Sequence, residues 1–127
     1  MNKRQYLEGL EKFKLPKTEF IILSGGSLLM HGLREQTRDY DLSFSKKLAK
    51  EFGLYDCPID EKGFYKPFPN CQSSDDFDSI PFDIVDGYQC QTLEAILDFK
   101  RKKGRPKDLK DIETIERYLL LHRKEED

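Results

Sequence analysis

The stretch FIILSGGSLLMHGLREQTRDYDLSF, residues 20–44, decides the architecture. It opens with a short apolar run closed by two glycines, which reads as a buried strand. SLLMHGL follows as a short helix, with Ser27 placed as its cap. RDYDLSF then alternates Tyr40, Leu42 and Phe44 against Asp39, Asp41 and Ser43. That is the period of a strand with both carboxylates on one face.

Working outward, residues 4–13 carry Tyr6, Leu7, Leu10 and Phe13 at helical spacing, and Pro16 closes that element. SKKLAKEFG is a further short helix stopped by Gly53. Residues 54–78 hold three prolines and two cysteines without a period and read as a loop or ragged hairpin. SIPFDIVDG is a second core strand, and QTLEAILDFKRKKG a helix ended by Gly104. Residues 105–127 form a last helix with Pro106 suited to its first turn. The order predicts a single α/β or α+β domain over residues 1–127: a small mixed sheet flanked by helices, with two helices at the C-terminal end.

A chain of 127 residues supports one core, and its 37% hydrophobic content is clustered and periodic despite 36% charged residues. A net charge of -2 argues against a general nucleic-acid binder. No apolar run is long enough to span a membrane, and the N-terminal residues lack a secretory core. Cys57, Cys71 and Cys90 leave one thiol unpaired in any disulfide scheme and match no zinc pattern. Reduced thiols in a cytoplasmic protein are the expectation.

Asp39 and Asp41 project from one strand face, and adjacent like charges are unfavourable unless a cation lies between them. Oxygen-only ligands suit Mg²⁺ or Mn²⁺, with phosphate oxygens completing the shell. The plain alternative is an exposed strand edge whose charge deters aggregation. The turn in IILSGGS adds to the first reading, because a helix start after glycines presents N–H groups to an anion. It is not a Walker A loop, since no G-x-x-x-x-G-K-[ST] occurs.

Gly26-Ser27, a gap of eleven residues and then Asp39-x-Asp41 resemble the signature of the nucleotidyltransferase superfamily with the polymerase-beta-like palm. The resemblance implies that Gly25, Gly26 and Ser27 bind a nucleoside triphosphate and that the two aspartates bind two magnesium ions. A third acid on a neighbouring strand completes such a site. Asp83 in PFDIV is the expected one, with Asp86 as fallback.

A second block lies further along. In TLEAILDFKRKKG, Leu93, Ile96 and Leu97 form the inward stripe, and the position seven after Leu93 is Lys100. A lysine there must snorkel or meet an anion. Leu109, Ile112, Ile115 and Leu119 define the buried arc of the next helix, with Asp108 inside it, so Lys100 and Asp108 are expected to pair. Lys100, followed by Arg105-Pro106-Lys107-Asp108 and Asp111, resembles the second motif of abortive-infection-type nucleotidyltransferase toxins and small related enzymes. The resemblance implies that Lys100, Arg105 and Lys107 contact the triphosphate while Asp108 and Asp111 hold them in place. Seven cations within residues 100–110 suit attraction of phosphates, or serve only as a charged helix face. His31 and His122 read as surface histidines, and Tyr40 as core.

The implied activity is Mg²⁺-dependent transfer of a nucleoside monophosphate from an NTP to a hydroxyl of a tRNA end, protein or small molecule. A toxin–antitoxin setting with a small helical HEPN partner is part of that resemblance. The alternative is a catalytically inactive, antitoxin-like member that binds a nucleotide or a partner.

Overall fold

The structure, a computed structural model, describes residues 1–123. The first helix, α1 (Lys3–Lys12), begins with a capping box: Gln5 N donates to Asn2 Oδ1 and Asn2 N donates to Gln5 Oε1, both at 2.9 Å. Such a start contributes about 1 kcal/mol. Strand β1 (Phe20–Ile22), helix α2 (Ser24–Met30), strand β2 (Tyr40–Phe44) and helix α3 (Lys46–Phe52) follow as expected in kind. Ser45 caps α3 through Leu48 N at 3.0 Å, and Gly53 leaves it at φ 82°, a conformation glycine adopts without cost.

Strand β3 (Cys71–Ser74) lies inside the region read as a loop or ragged hairpin. Strands β4 (Phe82–Val85) and β5 (Tyr88–Gln91) form a hairpin closed by Asp86 and Gly87, both at positive φ, as a two-residue primed turn requires. Helix α4 (Leu93–Lys103) is capped by Thr92, and α5 (Leu109–Arg123) is preceded by one tighter turn, Pro106–Asp108. Residues 124–127 of the expected last helix lie outside the described residues. Met1–Gln91 pack as one compact unit, and the described residues from Thr92 onward as a second.

The first unit carries the whole sheet, a five-stranded mixed sheet in the order β3-β2-β1-β5-β4. Strand β1 runs antiparallel to β2 and parallel to β5; β2 and β3 are parallel, β4 and β5 antiparallel. The fold is therefore α+β. Paired residues share a face, so the register sorts the side chains into two sets. One face presents Phe20, Ile22, Tyr40, Leu42, Phe44, Cys71, Tyr88 and Cys90, which form the core with Tyr6, Leu10, Leu29, Met30, Leu48 and Ala49 of α1, α2 and α3. The opposite face presents Asp41, Ser43, Gln72, Ser74 and Gln91.

The expectation for SIPFDIVDG as a core strand needs correction. It forms the edge strand β4, and Phe82 and Ile84 are 39% and 62% exposed on the same face as Asp41. Asp83 and Val85 turn toward the helix-covered face instead. At the other edge, the backbone of Tyr65 exchanges hydrogen bonds with Ser73 at 2.9 and 2.8 Å, covering part of β3.

Candidate functional site

The turn after β1 meets the start of β2 directly. Leu23 N donates to Asp41 O at 2.8 Å, so the entry to α2 and the D-x-D pair are fastened together by main chain. This is the juxtaposition that residues 20–44 imply. The details of the turn differ. Helix α2 begins at Ser24, with Leu23 in the capping position, so Ser27 is no cap but a residue of the helix interior. Its hydroxyl is fully buried and donates to Gln91 O at 2.6 Å. Ser27 Oγ therefore faces the fold and not a ligand.

The two glycines also have particular neighbours. A side chain on Gly26 would run into the Tyr6 hydroxyl and would meet Ile22 Cγ2 at 2.9 Å. Close packing against α1 and β1 thus requires glycine at 26. At Gly25 a Cβ would run into the guanidinium of Arg34 and would stand 3.1 Å from Thr37 Oγ1. Of the three residues expected to meet phosphate at the turn, Gly25 lies beside a cation.

Asp39 and Asp41 stand two residues apart at the start of β2, with Asp39 exposed and Asp41 half-buried. Burial pushes the Asp41 carboxyl up to about 6, the charge of Asp39 pushes in the same direction, and Lys62 partly opposes both. Placing a carboxylate in such surroundings costs free energy that a bound cation would return.

Asp83 does not join them. It pairs with Cys90, Cys90 sits level with Ile22, and Ile22 with Leu42, so Asp83 shares the face of Leu42 and not of Asp41. Three strand spacings separate β4 from β2, which at about 4.8 Å each is roughly 14 Å. That excludes a shared ion at Mg²⁺–oxygen distances of about 2.1 Å. Asp83 instead lies 3.9 Å from His31 Nε2. His31 is a partly buried residue at the end of α2, its Nδ1 2.9 Å from Ser27 O, and no simple surface histidine. The fallback, Asp86, pairs with Lys3 at 2.6 Å from the turn of the same hairpin.

On β3, the strand beside β2, the residue level with Asp41 is Gln72. An acid beside that strand is Asp76, whose Oδ1 accepts from Ser43 at 2.7 Å and from Ser74 at 2.6 Å. Among the described residues no three His, Cys, Asp or Glu side chains are placed to hold one metal ion. A two-ion site fits this set poorly. A single ion held by Asp39 and Asp41, with ligand oxygens completing its shell, fits the donors present.

The second unit contains the other expected residues. Lys100, 7% exposed, donates to Asp108 Oδ1 at 2.9 Å and lies 3.3 Å from Asp111 Oδ2. Arg105 Nε donates to the other Asp108 oxygen at 2.7 Å. Burial alone would raise the Asp108 carboxyl, but the hydrogen bonds from Lys100 and Arg105 outweigh it and hold the group below its ordinary value. The expected Lys100–Asp108 pair is present, and Lys107 is exposed.

Arg34, Thr37, Gln72 and Asp76 were not legible as site residues. Arg34 and Thr37 lie in the aperiodic link REQT, and the strand carrying Gln72 has no apolar run to announce it. No helix among the described residues is long and apolar enough to cross a membrane. No protein-family model, no curated protein and no solved structure matches this chain.

Proposed function

We propose that this chain binds a nucleoside triphosphate as its magnesium complex, in the manner of the nucleotidyltransferases it resembles, without itself completing a two-ion transfer site. One observation carries the proposal: the Leu23–Asp41 main-chain bond sets a glycine turn against a pair of adjacent carboxylates, one of them raised by burial. Asp39 and Asp41 would hold the ion, which shields the phosphate charge. The turn at Ser24 and Gly25 would face the phosphates. Gln72 level with Asp41, and Asp83 on the other face, leave the second ion without its acid, which favours binding over transfer.

Asp76 favours a second reading. It lies on the face of Asp41, beside Ser43 two residues along β2. As the third acid it would take the proton of an acceptor hydroxyl on a tRNA end, a protein or a small molecule. The hydroxyl oxygen would bond to the α-phosphorus, and the bond to the β-phosphate oxygen would break to release pyrophosphate.

Calorimetric titration with each of the four NTPs, with and without Mg²⁺, tests the first reading. Binding that needs Mg²⁺ and disappears in Asp41→Asn supports it, and binding unchanged in that variant sinks it. Release of pyrophosphate from a bound NTP in the presence of an acceptor, lost in Asp76→Asn, would move the assignment to transfer. A toxin–antitoxin role or a helical partner is tested by adding that partner to the same titration.

A further inference from the structure

We infer that Arg34 is the residue of the first unit that grips the triphosphate, and that Gly25 lacks a side chain in order to admit it. This rests on the nucleotide-binding reading above. The guanidinium of Arg34 occupies the volume where a Cβ on Gly25 would stand, a volume that Thr37 Oγ1 also borders. Gly25 lies two residues beyond Leu23, whose N–H is bonded to Asp41 O. The cation is therefore built into the same end of β1 and β2 as the two carboxylates.

Within the first unit, Arg34 is a cation set against the turn. A triphosphate carrying one divalent ion remains anionic, and its phosphates need a cationic partner on the side of the turn. A guanidinium supplies two parallel N–H donors that match two phosphate oxygens, which a lysine ammonium cannot reproduce. Lys62, the cation whose charge opposes the rise of the Asp41 carboxyl, is exposed and lies on the link between residues 59 and 65. Arg34 is partly buried, so less freedom is lost when it binds.

The glycine gives an independent handle. In a helix, glycine to alanine normally stabilises by about 1 kcal/mol. Here a methyl group at 25 displaces the guanidinium. Gly25→Ala should therefore weaken nucleotide binding while leaving both Asp39 and Asp41 intact.

The experiment is calorimetry of Mg²⁺ complexes of the NTP that binds best, and of the matching nucleoside monophosphate, to wild type, Arg34→Gln, Arg34→Lys and Gly25→Ala. The expected result is a loss of roughly tenfold or more for the triphosphate in Arg34→Gln. Arg34→Lys should recover part of it, Gly25→Ala should resemble Arg34→Gln, and the monophosphate should lose much less. Triphosphate affinity unchanged in Arg34→Gln, with binding still abolished in Asp41→Asn, overturns the inference and leaves the nucleotide reading standing. Absence of binding to wild type overturns both. If Arg34→Gln does not fold, the ratio of triphosphate to monophosphate affinity in Arg34→Lys decides, and a ratio equal to that of wild type overturns the inference.

Discussion

Asp83 and Asp41 stand on opposite faces of one sheet, with two strands between their own. Their separation divides the acids of the first unit into two groups with different work. Asp83 and Asp86 belong to the edge hairpin, beside His31 and paired with Lys3. Asp41 belongs to the turn. Asp83→Asn is therefore expected to leave Mg²⁺-dependent NTP affinity within about twofold of wild type, whereas Asp41→Asn removes it. Parallel titrations compare the two, and an equal loss in both variants would show that the strand register does not describe the bound state.

Asp41 also makes a prediction about pH. Its carboxyl is raised from 3.8 to about 6, first by burial and then by Asp39. Between about pH 4 and 6 the folded protein holds a proton that the unfolded chain has released, so this group's contribution to stability falls as pH rises through that window. Above pH 6 the full cost is present, at most roughly 3 kcal/mol and less because Asp41 is only half-buried. In metal-free buffer, Asp41→Asn should thus be more stable than wild type at pH 7, with the difference closing toward pH 4. Urea unfolding across that range reads it directly. A variant less stable than wild type at pH 7 contradicts the assigned cost.

The same residues show what could be read from the chain alone. Helix α1, strand β2 and the pairing of Lys100 with Asp108 follow from spacing, and strand β1, buried throughout, from an unbroken apolar run closed by glycines. CQSS and YQCQ escape that logic. Their core-facing residues are Cys71 and Ser73, and Tyr88 and Cys90, and only Tyr88 is large. PFDIV misleads in the other direction, since its apolar Phe82 and Ile84 are the exposed pair on an edge strand. The face of Asp83 depends on which neighbour β4 pairs with, and local periodicity carries no information about that. The partner of Gly25 is likewise a long-range fact.

Lys100 and Asp108 are a buried ion pair at 2.9 Å, 7% and 3% exposed. Removing one partner strands the other charge, so Asp108→Ala or Lys100→Met is expected to cost roughly 3–5 kcal/mol. The double replacement Lys100→Met with Asp108→Leu should cost clearly less than the sum, because neither charge of the pair is stranded and Asp111, which also meets Lys100, is partly exposed. Arg105 can turn to solvent in that variant, as its side chain is 37% exposed. Urea unfolding of the four proteins without nucleotide gives the coupling energy. Additive costs would mean that solvent already screens the pair, and Lys100 would then be available to a ligand.

Gly26 gives the last test, because it asks whether a glycine in this turn serves packing or ligand approach. Alanine is normally the better helix former by about 1 kcal/mol. At 26, a Cβ would meet both Tyr6 Cζ and Ile22 Cγ2 at 2.9 Å, as well as the Tyr6 hydroxyl. Gly26→Ala is therefore expected to destabilise by about 1–3 kcal/mol through overpacking. The Tyr6 hydroxyl is buried without a hydrogen-bond partner among the described residues, so Tyr6→Phe alone should stabilise by roughly 1 kcal/mol. It also removes one of the obstacles to the added methyl group. The double variant should then lose less than the two single effects predict, though not recover fully, since the ring carbon and Ile22 remain. Thermal unfolding of the cycle measures this. A Gly26→Ala protein as stable as wild type, with weakened nucleotide binding, would return Gly26 to the ligand.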